Sequence, residues 1–170
     1  MRIGLISDTH GYVDLAYQKY FDDCDEIWHA GDIGQLEVLH FLNTIKPCKA
    51  VFGNIDGQKV RGNTQEHLIL NVTGCKVLMI HIAGKPGFYN SLTQQLIRLH
   101  RPQILICGHS HIVKVQFYKD LNLLHINPGA AGISGFHTVR TLMRFSIIDG
   151  KPQKMELIEL GKRGEIKKDV

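Results

Sequence analysis

Five short apolar runs in this chain each end on a residue able to hold a metal ion. IGLI (3–6) leads to Asp8 and His10, and IWHA (27–30) leads through Gly31 to Asp32. AVF (50–52) leads through Gly53 to Asn54, and VLMI (77–80) stops at His81. ILIC (104–107) passes through Gly108 to His109 and His111. Runs of this length bounded by turn residues read as buried strands. In an open α/β sheet, ligands collect beyond the carboxyl ends of the strands. A fold that satisfies all five runs must therefore bring their ends to one edge.

The order of elements supplies such a fold. RIGLIS, EIWHA and CKAVF alternate with helical patterns at 13–22 and 34–45, a βαβαβ rhythm that predicts a parallel, layered core. EHLILNV and CKVLMIHI flank Thr73-Gly74, which predicts an antiparallel hairpin. A third helix over 89–100 should stop before Pro102. QILIC, VKVQFY and NLLHI follow as strands, with KDLN as a turn, and TLMRFSII and KMELIEL form a last hairpin around Asp149-Gly150. So many strands with three clear helices predict an α/β chain of two packed mixed β-sheets flanked by α-helices.

At 170 residues the chain reads as one domain, 1–161, with a basic, frayed tail at 162–170. No apolar run approaches the roughly 18 residues that span a bilayer, and MRIGLISDTHG is not a secretory leader. The four cysteines, Cys24, Cys48, Cys75 and Cys107, lack C-x-x-C spacing and read as reduced thiols of a cytoplasmic protein. The formal charge of +4 is mild, and no basic stripe with interleaved aromatics appears outside the tail. Nucleic acid is thus possible as a partner but not favoured, no membrane partner is expected, and a homo-oligomer remains possible.

The ligand inventory is two carboxylates, one amide and four imidazoles, which suits borderline divalent ions. Seven groups are too many for one tetrahedral ion but fit two ions sharing a carboxylate. Two such ions can clamp an in-line displacement at phosphorus. With Asp8 and Asp32 the only carboxylates among them, the site keeps excess positive charge, which favours hydroxide and an anionic substrate. His29, His40, His67, His100 and His125 fall outside this pattern and read as structural or surface residues, and Trp28, Met79, Cys107 and Met143 read as packing.

Taken in order, DTH (8–10), GD (31–32), GNID (53–56), His81 and GHSH (108–111) resemble the signature of calcineurin-like metallophosphoesterases. The closest likeness is to their small single-domain bacterial and archaeal phosphodiesterases, and NPGA (127–130) is similar to an Asn-Pro-Gly-Ser turn of that branch. The resemblance implies that Asp8, His10 and His111 hold one ion and that Asp32 bridges to a second held by Asn54, His81 and His109. It further implies two divalent ions, manganese foremost, with iron, zinc, nickel or cobalt as alternatives. Asp32, Asn54 and His109 become the catalytic residues, and a small phosphodiester the substrate. An extended segment at 109–111 would place both histidines on one face, each reaching a different ion, with Ser110 pointing away.

The chain departs from the family pattern twice. Ile55 stands where many relatives carry a histidine that protonates the leaving group, and Ile82-Ala83 replaces a Gly-His that adds a further ligand or phosphate contact. In the loop GISGFHTVR, His137 and Arg140 are expected to bind the phosphate or leaving group, Arg140 by a forked contact. The rival readings are a nuclease on the same site and a non-catalytic scaffold similar to the retromer subunit of this fold.

Overall fold

Strict alternation of side chains sorts this sequence into three apolar layers. In the computed structural model, which describes residues 1–164, Ile3 and Leu5 of β1 (Arg2–Ile6) face one cluster, while Ile6 faces another. β5 (Cys75–Ile80) divides the same way, with Val77 and Met79 on one side and Leu78 and Ile80 on the other. Strands apolar on both faces belong in the middle of a sandwich, where each face is covered.

The first sheet runs β12–β11–β1–β2–β3, built from β1, β2 (Glu26–His29), β3 (Cys48–Ala50), β11 (Val139–Ile148) and β12 (Lys151–Lys162). The second runs β4–β5–β8–β10–β9, with β4 (His67–Val72), β8 (Ile104–Ile106), β9 (Lys114–Tyr118) and β10 (Leu123–Asn127). β1, β2 and β3 are parallel, and so are β5, β8 and β10, with antiparallel strands completing both sheets. The inner faces meet in a core that includes Trp28, Phe145, Met79 and Ile106. Helices α1 (Ala16–Phe21) and α2 (Leu36–Ile45) cover the outside of the first sheet, through Tyr17, Phe21, Val38 and Leu42. Helix α4 (Ser91–His100) covers the second through Leu96. The expected pair of packed mixed sheets flanked by helices is the architecture found.

Local signals explain most boundaries. Asn90 caps α4 by accepting the Thr93 N–H at 2.8 Å, and Arg101 ends the helix in the left-handed region just before Pro102. Asp149 and Gly150, at φ of 51° and 71°, turn β11 into β12. Helix α1 begins at Ala16 rather than at 13, because the Asp14 carboxylate takes the Ala16 N–H at 2.9 Å and makes a turn there. A four-residue helix, α3 (Gln58–Arg61), and a small hairpin of β6 (Gly84–Lys85) and β7 (Phe88–Tyr89) were not expected. At the start of the expected tail, Lys162 pairs with Val139, and the Arg163 N–H donates to the Thr138 carbonyl at 3.0 Å. Its last part, 165–170, lies outside the described residues.

Candidate metal centre

Parallel strands point their carboxyl ends the same way, so β1, β2, β3, β5 and β8 all deliver their following turns to one edge of the sandwich. Those turns are held in costly backbone. Among the described residues ten non-glycine residues have positive φ, and five of them are Asp8, His10, Asp32, His109 and His111. Left-handed backbone disfavours any side chain with a Cβ, so its concentration at one edge marks a place where tertiary contacts dictate geometry.

Two trios of ligand atoms form there. Asp8, His10 and His111 make one, and Asp32, His81 and His109 make the other, with the atoms of each within 4.8 Å of one another. His109 and His111 thus enter different trios, but not from an extended segment. Their φ values of 68° and 57° place both in the left-handed region. Ser110 lies outside both trios, and its Oγ accepts from Asn127 Nδ2 at 3.1 Å. The same Asn127 amide donates to the Gly108 carbonyl at 2.8 Å, so the NPGA turn clamps the GHSH loop.

The two carboxylates lie between the trios. Asp32 Oδ1 is 3.2 Å from His81 Nε2, while its Oδ2 faces His10 Nε2 at 3.9 Å. Asp8 Oδ1 lies 3.2 Å from His111 Nε2 and 4.0 Å from His81 Nε2. Asp8 is fully buried and is fixed by Ser7 Oγ at 2.6 Å and by the His109 N–H at 3.1 Å. Close approach explains two of the glycines. A Cβ at Gly53 would lie 2.0 Å from Asp32 Oδ1, and one at Gly108 would lie 2.0 Å from Ser7 Oγ and 2.7 Å from Asp8 Oδ2.

The buried His81 provides the test of whether a cation fits. Its Nδ1 lies 2.8 Å from the Ala30 carbonyl and must donate to it, which leaves Nε2 as the lone-pair nitrogen. Nε2 is buried without a hydrogen-bond partner and faces a carboxylate oxygen. Two acceptors at that separation repel unless a cation, proton or metal, stands between them. Burial opposes charge on His81, but the facing Asp32 carboxylate, with the charge of Asp8, outweighs it and raises its pKa. Burial likewise pushes Asp32 up, and His81 together with the Ile55 N–H more than reverses that, leaving its pKa low. The donor set, two carboxylates and four imidazoles, fits divalent ions.

His111 is set up for the same task. Its Nδ1 lies 3.1 Å from His137 Nδ1, and His137 Nε2 lies 2.9 Å from the Gly132 carbonyl. A carbonyl only accepts, so His137 carries its proton on Nε2, His111 donates from Nδ1, and His111 Nε2 is left with a lone pair toward Asp8 and His10. Both His137 nitrogens are therefore engaged, by His111 and by the Gly132 carbonyl, and neither is free for the expected phosphate contact. Arg140 is corrected more firmly. It is 2% exposed, pairs with Asp14, donates from Nε to the Ala131 carbonyl at 2.9 Å, and lies over the Tyr12 ring. The contacts to Asp14 and Tyr12 tie β11 to the segment before α1.

Asn54 lies on the exposed turn after Gly53, where the neighbouring Ile55 N–H donates to Asp32 Oδ1 at 3.1 Å. Ile55 itself is 46% exposed and puts no ionisable group at this turn. Asp56 has a role the sequence did not reveal. It is 3% exposed and accepts from the backbone N–H groups of Ile33, Gly34 and Gly53, at 3.2, 2.6 and 2.7 Å. It thereby staples the Asp32 turn to the Asn54 turn. His29, fully buried, accepts the Gly31 N–H at 3.2 Å and donates to Thr9 Oγ1 at 2.9 Å, bracing the first two turns.

Two cavities flank the centre, with Ile82 lining both. One, of about 310 Å³, is lined by Phe52, Asn54 and His81, and the other, of about 710 Å³, starts at His109.

Comparison with known proteins shows the family and the fold. The family model of the calcineurin-like phosphoesterase superfamily domain matches residues 1–150. A probable metallophosphoesterase of Methanothermobacter thermautotrophicus is 32% identical, over 95% of this chain and 94% of its own. Another from Methanocaldococcus jannaschii is 30% identical, over 94% and 82%. Among solved structures, a protein described as a novel archaeal phosphodiesterase superposes with a TM-score of 0.72 at 21% identity, covering 94% of this chain and all of that one. Vps29 of Chaetomium thermophilum gives the same TM-score at 15% identity, covering 95% and 99%. No helix among the described residues is long and apolar enough to cross a membrane.

Proposed function

Because the chain belongs to the calcineurin-like phosphoesterase superfamily, we propose that it is a phosphodiesterase working with two divalent metal ions, manganese foremost. The observation that carries this reading is the pair of ligand trios meeting around a buried His81 nitrogen with no partner of its own. On this reading Asp8, His10 and His111 hold one ion, and Asn54, His81 and His109 hold the other. Asp32, whose two oxygens face His81 and His10, serves both. When bound, such ions supply Lewis acidity and a hydroxide near neutral pH for in-line attack on phosphorus.

The protein's own groups do the positioning. Asp32 is held by the Ile55 N–H, and Asp8 by Ser7 and the His109 N–H, so neither carboxylate has to reorganise as substrate arrives. Asn54, exposed at the edge of the smaller cavity, donates its amide N–H to a phosphoryl oxygen. His109, exposed at the edge of the larger cavity, is placed beside the reacting phosphate. The two cavities offer a place to each ester arm, which favours a diester over a monoester. With Ile55 at the Asn54 turn, the leaving oxygen takes its proton from water, so acidic leaving groups react best.

The test is hydrolysis of bis-p-nitrophenyl phosphate against p-nitrophenyl phosphate, on chelator-stripped protein with manganese restored. The diester should be cleaved in preference. No hydrolysis of either compound by metal-loaded protein would overturn the reading and favour a binding role on this fold.

A further inference from the structure

The larger cavity is a groove with a consistent charge. One wall is the β6–β7 hairpin, which contributes Lys85, and the other is the outward face of β9, which contributes Lys114 and, at the far end, Tyr118. Register explains why these β9 residues share a face. Lys114 pairs with Asn127 and Tyr118 with Leu123 across β10, and the even spacing of 114, 116 and 118 turns them all toward the helix-covered side of the sheet. Four residues of strand span about 13 Å, so the groove leads from the metal centre well beyond a single phosphate.

Its floor is neutral and internally satisfied. His125 lies 3.2 Å from the Tyr89 hydroxyl and 3.5 Å from Cys107 Sγ, and Asn127 is committed to the GHSH loop. Burial first, and the Lys114 charge second, hold His125 uncharged with a pKa of about 4. No acidic side chain lines the groove, and neither lysine forms a salt bridge among the described residues. Two cations facing a concave, uncharged floor concentrate positive potential there.

We infer that this groove binds a second anionic group carried by the substrate, so that the diester has one arm ending in a terminal phosphate. The inference rests on the phosphodiesterase reading and extends it from reaction to substrate class. Two lysines match the double charge of a terminal phosphate better than the single charge of an internal diester in a nucleic acid strand.

A pair of chromogenic diesters isolates the effect: the p-nitrophenyl ester of thymidine 5′-phosphate, with and without a 3′-phosphate. The ratio of their kcat/KM values should be about tenfold in favour of the phosphorylated compound, since each exposed charge pair contributes modestly. In the Lys85→Gln/Lys114→Gln double variant that ratio should fall to near one. A ratio near one in the parent protein, or a ratio unchanged in the double variant, would overturn the inference. Cleavage of bis-p-nitrophenyl phosphate is measured alongside. Its failure sinks the phosphodiesterase reading, whereas its success without a phosphate preference sinks the groove assignment alone.

Discussion

His137 stands directly behind His111, Nδ1 to Nδ1 at 3.1 Å, and passes its own Nε2–H to the Gly132 carbonyl at 2.9 Å. This chain fixes the His111 tautomer that leaves Nε2 free for a metal. Groups that orient a ligating histidine are worth roughly 10- to 100-fold in metal affinity. His137→Ala is therefore expected to weaken one of two manganese sites by that factor, read by calorimetric titration. His137→Asn, which keeps an acceptor and a donor, should recover part of the loss. Equal affinities in all three proteins would show that His137 does not orient His111.

Asp56 gathers three backbone N–H groups from two turns, and removing it leaves them buried without an acceptor. Asp56→Ala should cost about 3–5 kcal/mol in urea unfolding, and Asp56→Asn clearly less, because one oxygen remains. A cost below about 1 kcal/mol for the alanine variant would mean that the staple is dispensable.

Two buried histidines make the fold sensitive to acid. Burial above all lowers the pKa of both His29 and His125 from 6.5 to about 4. Above pH 6.5 they are neutral folded or unfolded, and their contribution is complete. As pH falls from 6.5 toward 4, the unfolded chain takes up protons that the folded chain refuses, and stability drops by an amount on the order of 3 kcal/mol for each histidine. Urea midpoints of metal-free protein between pH 7.5 and 4 should fall, and His125→Gln should fall less steeply. Parallel curves for the two proteins would exclude His125 as a source.

Ile55 is exposed next to Asn54, with its N–H on Asp32. Ile55→His should flatten the dependence of rate on leaving-group acidity, raising turnover of diesters with poor leaving groups by roughly 100-fold, the lower end of general-acid gains. Rates for a series of aryl and alkyl esters decide this. An unchanged dependence would place the leaving group elsewhere.

The sheets were legible because apolar runs such as VLMI and ILIC are buried on both faces, and burial is written in composition. The ends of those runs were legible because Asp, His and Asn recur there in order. The backbone between His109 and His111 was not, since local preference disfavours left-handed histidine and only the contacts around Gly108 and Asn127 impose it. Arg140 and His137 looked like phosphate ligands because charge in a loop after an active-site turn invites that reading. Their partners, Asp14 and His111, lie 126 and 26 residues away in sequence. Asp56 was hidden for the same reason, as its acceptor role exists only once two turns are brought together. The β6–β7 hairpin has two-residue strands around Pro86-Gly87, too short for any periodicity to register.

The central claim is that the two trios, joined by Asn54, hold two ions. The most direct measurement is the manganese stoichiometry of chelator-stripped protein, with the His81→Ala and His111→Ala variants beside it. The account predicts two ions per chain in the parent protein and one in each variant. One ion per chain in the parent, or two retained in either variant, would contradict it.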